Sequence, residues 1–143
     1  MKQDFDIQLG CGLIRIGREW GFKKKNIPTS EEVQSFLQEA ITLGIRFFDT
    51  APAYALSEER LGKFLQTISP DIRNTLTIAT KCGEHWDAKK KETIVDHSYN
   101  ALVRSIDTSL ALLGKIDILQ IHKATPSVLQ SDDVRKALEY AKS

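Results

Sequence analysis

Phe47-Phe48-Asp49-Thr50-Ala51-Pro52-Ala53-Tyr54-Ala55-Leu56-Ser57-Glu58-Glu59-Arg60-Leu61-Gly62 decides how the rest of the 143-residue chain is read. Its apolar start predicts a buried strand, and that strand ends on the carboxylate of Asp49. An unpaired carboxylate in an apolar interior is costly, so Asp49 needs a partner nearby or a polar cleft in front of it. A proline-containing loop follows and carries Tyr54. Ser57 then has the chemistry of a helix N-cap, with Glu58 and Glu59 placed at the positive end of the helix dipole. Leu61, Phe64 and Leu65 give that helix its core face.

Upstream, Thr29 and Glu32 have capping-box spacing just after Pro28. Val33, Phe36, Leu37, Ala40 and Ile41 recur at helical spacing, and Gly44 stops the helix. Residues 8–13 read as a short strand whose glycines, Gly10 and Gly12, let backbone approach another group closely. Residues 16–28 have loop composition and are long for a plain connection.

Downstream, Ser69-Pro70-Asp71 breaks the helix, and residues 75–80 form a β-branched strand that ends on Lys81. Residues 82–91 read as a polar loop containing Trp86. A helix from Glu92 or Ser98 to Leu113 carries a stripe of Leu102, Ile106, Leu110 and Leu113, and Gly114 ends it. Residues 116–121 are a fourth strand, stopping at His122. Ser131 caps a last helix with Val134, Ala137 and Leu138 on one side. Strand and helix alternate four times, which predicts an α/β architecture of parallel strands with right-handed crossovers.

Three successive strands thus end on Asp49, Lys81 and His122. In a parallel α/β sheet those ends share the face where ligands bind, and Tyr54 lies just past the first. A tyrosine is a weak acid with a pKa of about 10, and a lysine ammonium beside it stabilises the phenolate. A carboxylate on the lysine keeps it placed and charged, and a histidine can hold a carbonyl oxygen. Such a set suits protonation of a carbonyl during its reduction. No side chain supplies hydride, so a nicotinamide cofactor is implied.

At this point the chain resembles the aldo-keto reductase family. The match is carried by Phe47-Phe48-Asp49-Thr50-Ala51 with Tyr54, by Ser57-Glu58 with Leu61-Gly62, and by Ile78-Ala79-Thr80-Lys81. Ser109-Leu110 and Leu113, ahead of Ile116-Asp117-Ile118-Leu119-Gln120-Ile121-His122, complete it. The resemblance implies the N-terminal half of a (β/α)8 TIM barrel, with residues 1–143 as one partial barrel domain. It implies NADPH as hydride donor to a small carbonyl substrate, and Tyr54 as proton donor tuned by Lys81 and Asp49. His122 would orient the carbonyl, Gly12, Asp49 and Thr50 would meet the nicotinamide end, and Trp20 and Trp86 would line the substrate pocket. The chain departs from the family in carrying Ala55 and Leu56 where glycine usually follows the tyrosine. It also departs in length, since such barrels run to about 250 residues. The family's main grip on the cofactor's pyrophosphate and adenosine lies in its later strands, so weak NADPH binding is expected.

Other readings are weighed against these. Gly10-Cys11-Gly12 fails the dinucleotide fingerprint because Arg15 stands at its third glycine position. Lys23-Lys24-Lys25 and Lys89-Lys90-Lys91 read as solvated surface, with no aromatic arrangement for stacking bases. His85, between Glu84 and Asp87, is too cramped for a metal site, and His97 reads as a surface residue. A net charge of +1, with 41% hydrophobic and 27% charged residues, gives no reason to expect nucleic acid. No apolar run approaches the roughly 20 residues of a membrane span. Cys11 and Cys82 form no disulfide framework, and a cytoplasmic setting is the simplest expectation. A half barrel has two open sheet edges, which leaves three possibilities: a fragment of a longer reductase, a homodimer paired through those edges, or a non-catalytic interaction module.

Overall fold

Four parallel strands form one sheet in the order β1 (Gly10–Gly12), β2 (Phe47–Asp49), β3 (Thr77–Cys82) and β6 (Ile118–Ile121). The structure, a computed structural model, describes residues 8–21 and 26–142. The N-terminal segment and Lys23-Lys24-Lys25 lie outside those residues. The helices are α1 (Ile14–Gly17), α2 (Ser30–Thr42), α3 (Ser57–Leu65), α4 (Pro70–Asn74), α5 (Tyr99–Leu113), α6 (Pro126–Leu129) and α7 (Asp132–Tyr140), with a 3-10 turn at Pro52–Tyr54. This is the strand-helix alternation of a parallel barrel half. No helix among the described residues is long and apolar enough to cross a membrane.

The register separates two faces, because successive strand side chains point to opposite sides. Cys11, Phe48, Ile78, Thr80 and Leu119 face the helices, where Phe48, Ile78 and Thr80 are fully buried. Gly12 pairs with Asp49, Asp49 with Ala79, and Lys81 with Gln120, so these residues share the opposite face. One core cluster joins Leu13, Leu37, Phe48, Leu61, Phe64 and Ile78 with their neighbours; a second joins Cys82, Leu102, Ile106, Val134 and Ala137. The helix face of the sheet is therefore packed, and the other face carries the polar residues.

The Thr29 capping box forms as the spacing predicts: Thr29 Oγ1 accepts from the Glu32 N–H, and Glu32 accepts from the Thr29 N–H. Ser131 caps α7 through the Val134 N–H. Several expectations need correction. Phe36 is 44% exposed and Leu110 48%, because the buried stripes run through Val33, Leu37 and Ala40, and through Leu102, Ile106, Ser109 and Leu113. Ser69-Pro70-Asp71 does not simply break a helix but starts α4, with Ser69 accepting from the Ile72 N–H. The segment read as a loop from residue 16 begins inside the single turn of α1, which holds Ile16 and Gly17.

The largest correction concerns residues 82–91. They hold β4 (Glu84–Asp87), which pairs antiparallel with β5 (Glu92–Val95). Asp87 Oδ1 accepts from the N–H groups of Lys89 and Lys90 at 2.8 and 3.1 Å, and Lys91 turns the chain at φ 55°. That turn chemistry closes a hairpin. The exposed lysines sit at its tip, and Trp86 lies on a strand rather than in a loop.

Candidate active site

The loop that carries Tyr54 is closed from below. Thr50 Oγ1 and Ser57 Oγ share a hydrogen bond of 2.8 Å, and the Ser57 hydroxyl donates to the Leu13 carbonyl at 3.0 Å. All three residues are fully buried. Ser57 is therefore not the predicted N-cap: Leu56 occupies that position without a side-chain cap, and Ser57 opens the helix itself. Its hydroxyl is spent on joining the two ends of the loop to the turn after β1. Glu58 departs from expectation in the same way. It is 3% exposed, and its Oε1 accepts from Thr80 Oγ1 at 2.5 Å. Burial pushes its carboxyl above the ordinary range, against the opposing pull of Thr80, Ser109 and Lys81. Gly17 lets the loop pass, since a Cβ there would lie 1.8 Å from the Tyr54 carbonyl oxygen.

Asp49 is the last residue of β2, and the partner it needs is Lys81. Lys81 Nζ donates to Asp49 Oδ2 at 2.6 Å and to the Thr50 carbonyl at 3.0 Å. The same ammonium lies 4.9 Å from the centroid of the Tyr54 ring, within cation–π range. The Tyr54 and His122 rings meet edge to face, with centroids 6.1 Å apart. Asp49, Lys81 and His122 are thus brought together with Tyr54 of the 3-10 turn. Gln120 was missed by the sequence reading: its Nε2 donates to Asp49 Oδ1 at 3.0 Å. Strand alternation could have found it, since Gln120 sits opposite Lys81 in the register.

His122 is held by two residues outside that set. Its Nδ1 lies 3.0 Å from Glu84 Oε2, a short contact without the alignment of a directed hydrogen bond. His97 Nε2 lies 2.7 Å from the His122 carbonyl oxygen, so it acts as the donor. His97 is accordingly not the surface residue its sequence context suggests. Gly83, at φ 102°, makes room for it: a Cβ there would stand 2.5 Å from the His97 ring. Burial lowers the proton affinity of His122, Glu84 opposes this, and Lys81 reinforces it.

Trp20 and Trp86 flank one cation. The Arg18 guanidinium lies 5.1 Å from the Trp20 ring and 4.8 Å from the Trp86 ring. Beside them a cleft of about 760 Å³ runs past Gly17, Leu56 and Lys91. Gly12 is exposed, and a Cβ there would meet nothing within 4 Å, so open space lies over it next to Asp49. Thr50 reaches the site only through its carbonyl, since its side chain is turned to Ser57. Cys11 and Cys82 are free thiols, and burial pushes Cys82 up to about 11. Among the described residues no group of three or more His, Cys, Asp or Glu is placed to hold a metal ion.

Known proteins share sequence and fold with this chain. The chain is 35% identical over 119 residues to L-galactose dehydrogenase of Arabidopsis thaliana, covering 80% of this chain and 33% of that protein. It is 46% identical over 77 residues to D-threo-aldose 1-dehydrogenase of a Pseudomonas species, covering 52% of this chain and 21% of the relative. An aldo-keto reductase of Bacillus halodurans, solved in its holo form, superposes with a TM-score of 0.75 at 27% identity over 94% of this chain and 42% of that one. The chain spans between a fifth and a half of the length of these relatives. The model of the Aldo/keto reductase family matches residues 8–143, and the chain belongs to that family.

Proposed function

We propose that this chain carries the proton-transfer half of an NADPH-dependent carbonyl reductase site. The observation that supports it best is the position of Lys81 Nζ, 2.6 Å from Asp49 Oδ2 and 4.9 Å from the Tyr54 ring centroid. An ammonium placed there stabilises the phenolate that forms when Tyr54 gives its proton to a carbonyl oxygen. Asp49, braced by Gln120, keeps the ammonium in place. His122 steadies the same oxygen, and Trp20 and Trp86 offer flat walls to a small carbonyl substrate. NADPH supplies the hydride when bound. Gly12, Asp49 and the Thr50 backbone would hold its nicotinamide end, where the open space over Gly12 suits a flat ring.

Tyr54→Phe is expected to abolish NADPH-dependent aldehyde reduction while leaving the near-UV circular dichroism unchanged. Full activity in that variant refutes the assignment. Titration of the 143-residue chain with NADPH, followed by quenching of Trp20 and Trp86, is expected to show weak binding; tight binding overturns that expectation.

A second reading concerns assembly. β1 and β6 each pair on one side only within the described sheet, and Ile118 is exposed on the site face. Two copies joined through these edges would complete eight strands. Light scattering that shows a folded monomer at micromolar concentration counts against it.

A further inference from the structure

We infer that Glu84 is a positioning residue for His122, fixing the ring so that the proton sits on Nδ1 and Nε2 is the nitrogen offered to the site. Glu84 lies on the hairpin strand β4, outside the set of residues at the ends of the parallel strands. It is 5% exposed, and among the described residues the only side-chain partner of its carboxylate is His122 Nδ1, at 3.0 Å. A buried carboxylate with a single polar neighbour draws an N–H toward itself. His122 Nδ1 makes no aligned hydrogen bond to any group, so the Glu84 carboxylate 3.0 Å away meets no competitor for that proton.

The rest of the surroundings hold the ring in place. His97 donates to the His122 carbonyl at 2.7 Å, and the His122 N–H donates to the Cys82 carbonyl at 2.8 Å. Both main-chain groups are thereby fixed, and the Tyr54 ring stands at 87° to the imidazole. The charges that face His122 come from β2, β3, β4 and the residue next to it in the chain. Glu84 on β4 and Asp49 on β2 favour its protonation, whereas Lys81 on β3 and the adjacent Lys123 oppose it. Glu84 is the nearest of the two carboxylates that favour the charged ring, in direct contact through Nδ1.

Which nitrogen carries the proton decides what His122 can do. With the proton on Nδ1, 3.0 Å from Glu84 Oε2, neutral His122 presents a bare Nε2, which accepts a hydrogen bond from an alcohol. Only after a second proton arrives can Nε2–H donate to a carbonyl oxygen. Carbonyl reduction would then be favoured on the acid side of the His122 titration and alcohol oxidation on the alkaline side. That consequence rests on the reductase reading; the tautomer does not.

The test is nitrogen-15 NMR of the full chain labelled at histidine, with the His122 signals identified by their loss in His122→Gln. In the unmodified chain, neutral His122 is expected to show the shift pattern of the Nδ1–H tautomer. In Glu84→Gln, His122 is expected to titrate at lower pH, because the amide offers an acceptor but no charge. The Nε2–H tautomer in the unmodified chain overturns the inference, and so does an unchanged titration in the variant. The first measurement needs no variant, so a poorly folded Glu84→Gln still leaves a decision. Neither measurement depends on turnover. The expected tautomer and shift in a chain that reduces no carbonyl would support the Glu84 assignment while the reductase reading failed.

Discussion

Ala55 stands where the family usually carries glycine, and its backbone has φ 53° and ψ −109°. The left-handed helical region that L-residues tolerate has ψ near +47°, so Ala55 lies outside even that refuge. A residue held in such a region costs about 1–3 kcal/mol and persists only where its surroundings over-determine it. Here they do. The Tyr54 N–H donates to the Ala51 carbonyl at 2.9 Å, the Leu56 N–H to the Gly17 carbonyl at 3.4 Å, and Ser57 is tied to Thr50 and Leu13. Ala55→Gly removes the clash of the Cβ but raises the entropy of the unfolded chain, which costs about 0.5–1 kcal/mol. The net expectation is a gain of up to about 2.5 kcal/mol, a rise in melting temperature of roughly 2–4 °C per kcal/mol for a chain of this size. Urea unfolding followed by near-UV circular dichroism should move its midpoint upward at unchanged slope. A midpoint that falls would refute the claim that the Tyr54 loop stores strain at this position.

Gly17→Ala should act in the opposite direction, since the new Cβ would meet backbone at 1.8 and 2.6 Å in Tyr54 and Ser57. A loss of about 1–3 kcal/mol or more is expected in the same unfolding assay. Asp49→Asn takes the charge away from the acceptor of Lys81 Nζ and leaves at most a neutral amide oxygen beside the Thr50 carbonyl; carbonyl reduction should fall about 10- to 100-fold, in line with about 1.5–3 kcal/mol for a hydrogen bond to a charged group. Glu58, whose folded carboxyl holds its proton more tightly than the unfolded one, makes the chain less stable as pH rises from the ordinary carboxylate range through the folded titration. Each tenfold excess in proton affinity is worth about 1.4 kcal/mol, so Glu58→Gln, which keeps an acceptor for Thr80, should flatten that slope in unfolding curves taken across pH.

The strand ends were legible because two rules sufficed. A short apolar run bounded by turn residues marks a strand, and parallel strands bring their C-terminal ends to one face. Asp49, Lys81 and His122 followed, and Gln120 would have followed from the same alternation. The hairpin was not legible, because His85-Trp86 and Thr93-Ile94 alternate too briefly to stand out in a lysine-rich stretch, and its closure depends on the backbone contacts of Asp87. Glu84 and His97 were lost with it, since each matters only through what the hairpin brings near His122.

Ser57 and Glu58 misled for a different reason. Serine followed by glutamates at a helix start satisfies the capping rule, yet the fold uses both side chains elsewhere. A cap at a solvent-facing helix start contributes about 1 kcal/mol, whereas a loop that must hold a tyrosine in a strained turn needs its two ends tied together. The Thr50–Ser57–Leu13 bonds do that, and the Glu58–Thr80 bond fastens α3 to the strand that carries Lys81. Local rules could find the residues of the proton-transfer set because those sit at strand ends whatever surrounds them. The residues that hold the set were open to a second, local explanation, and only the packing of β1, β3 and α3 together shows which use won.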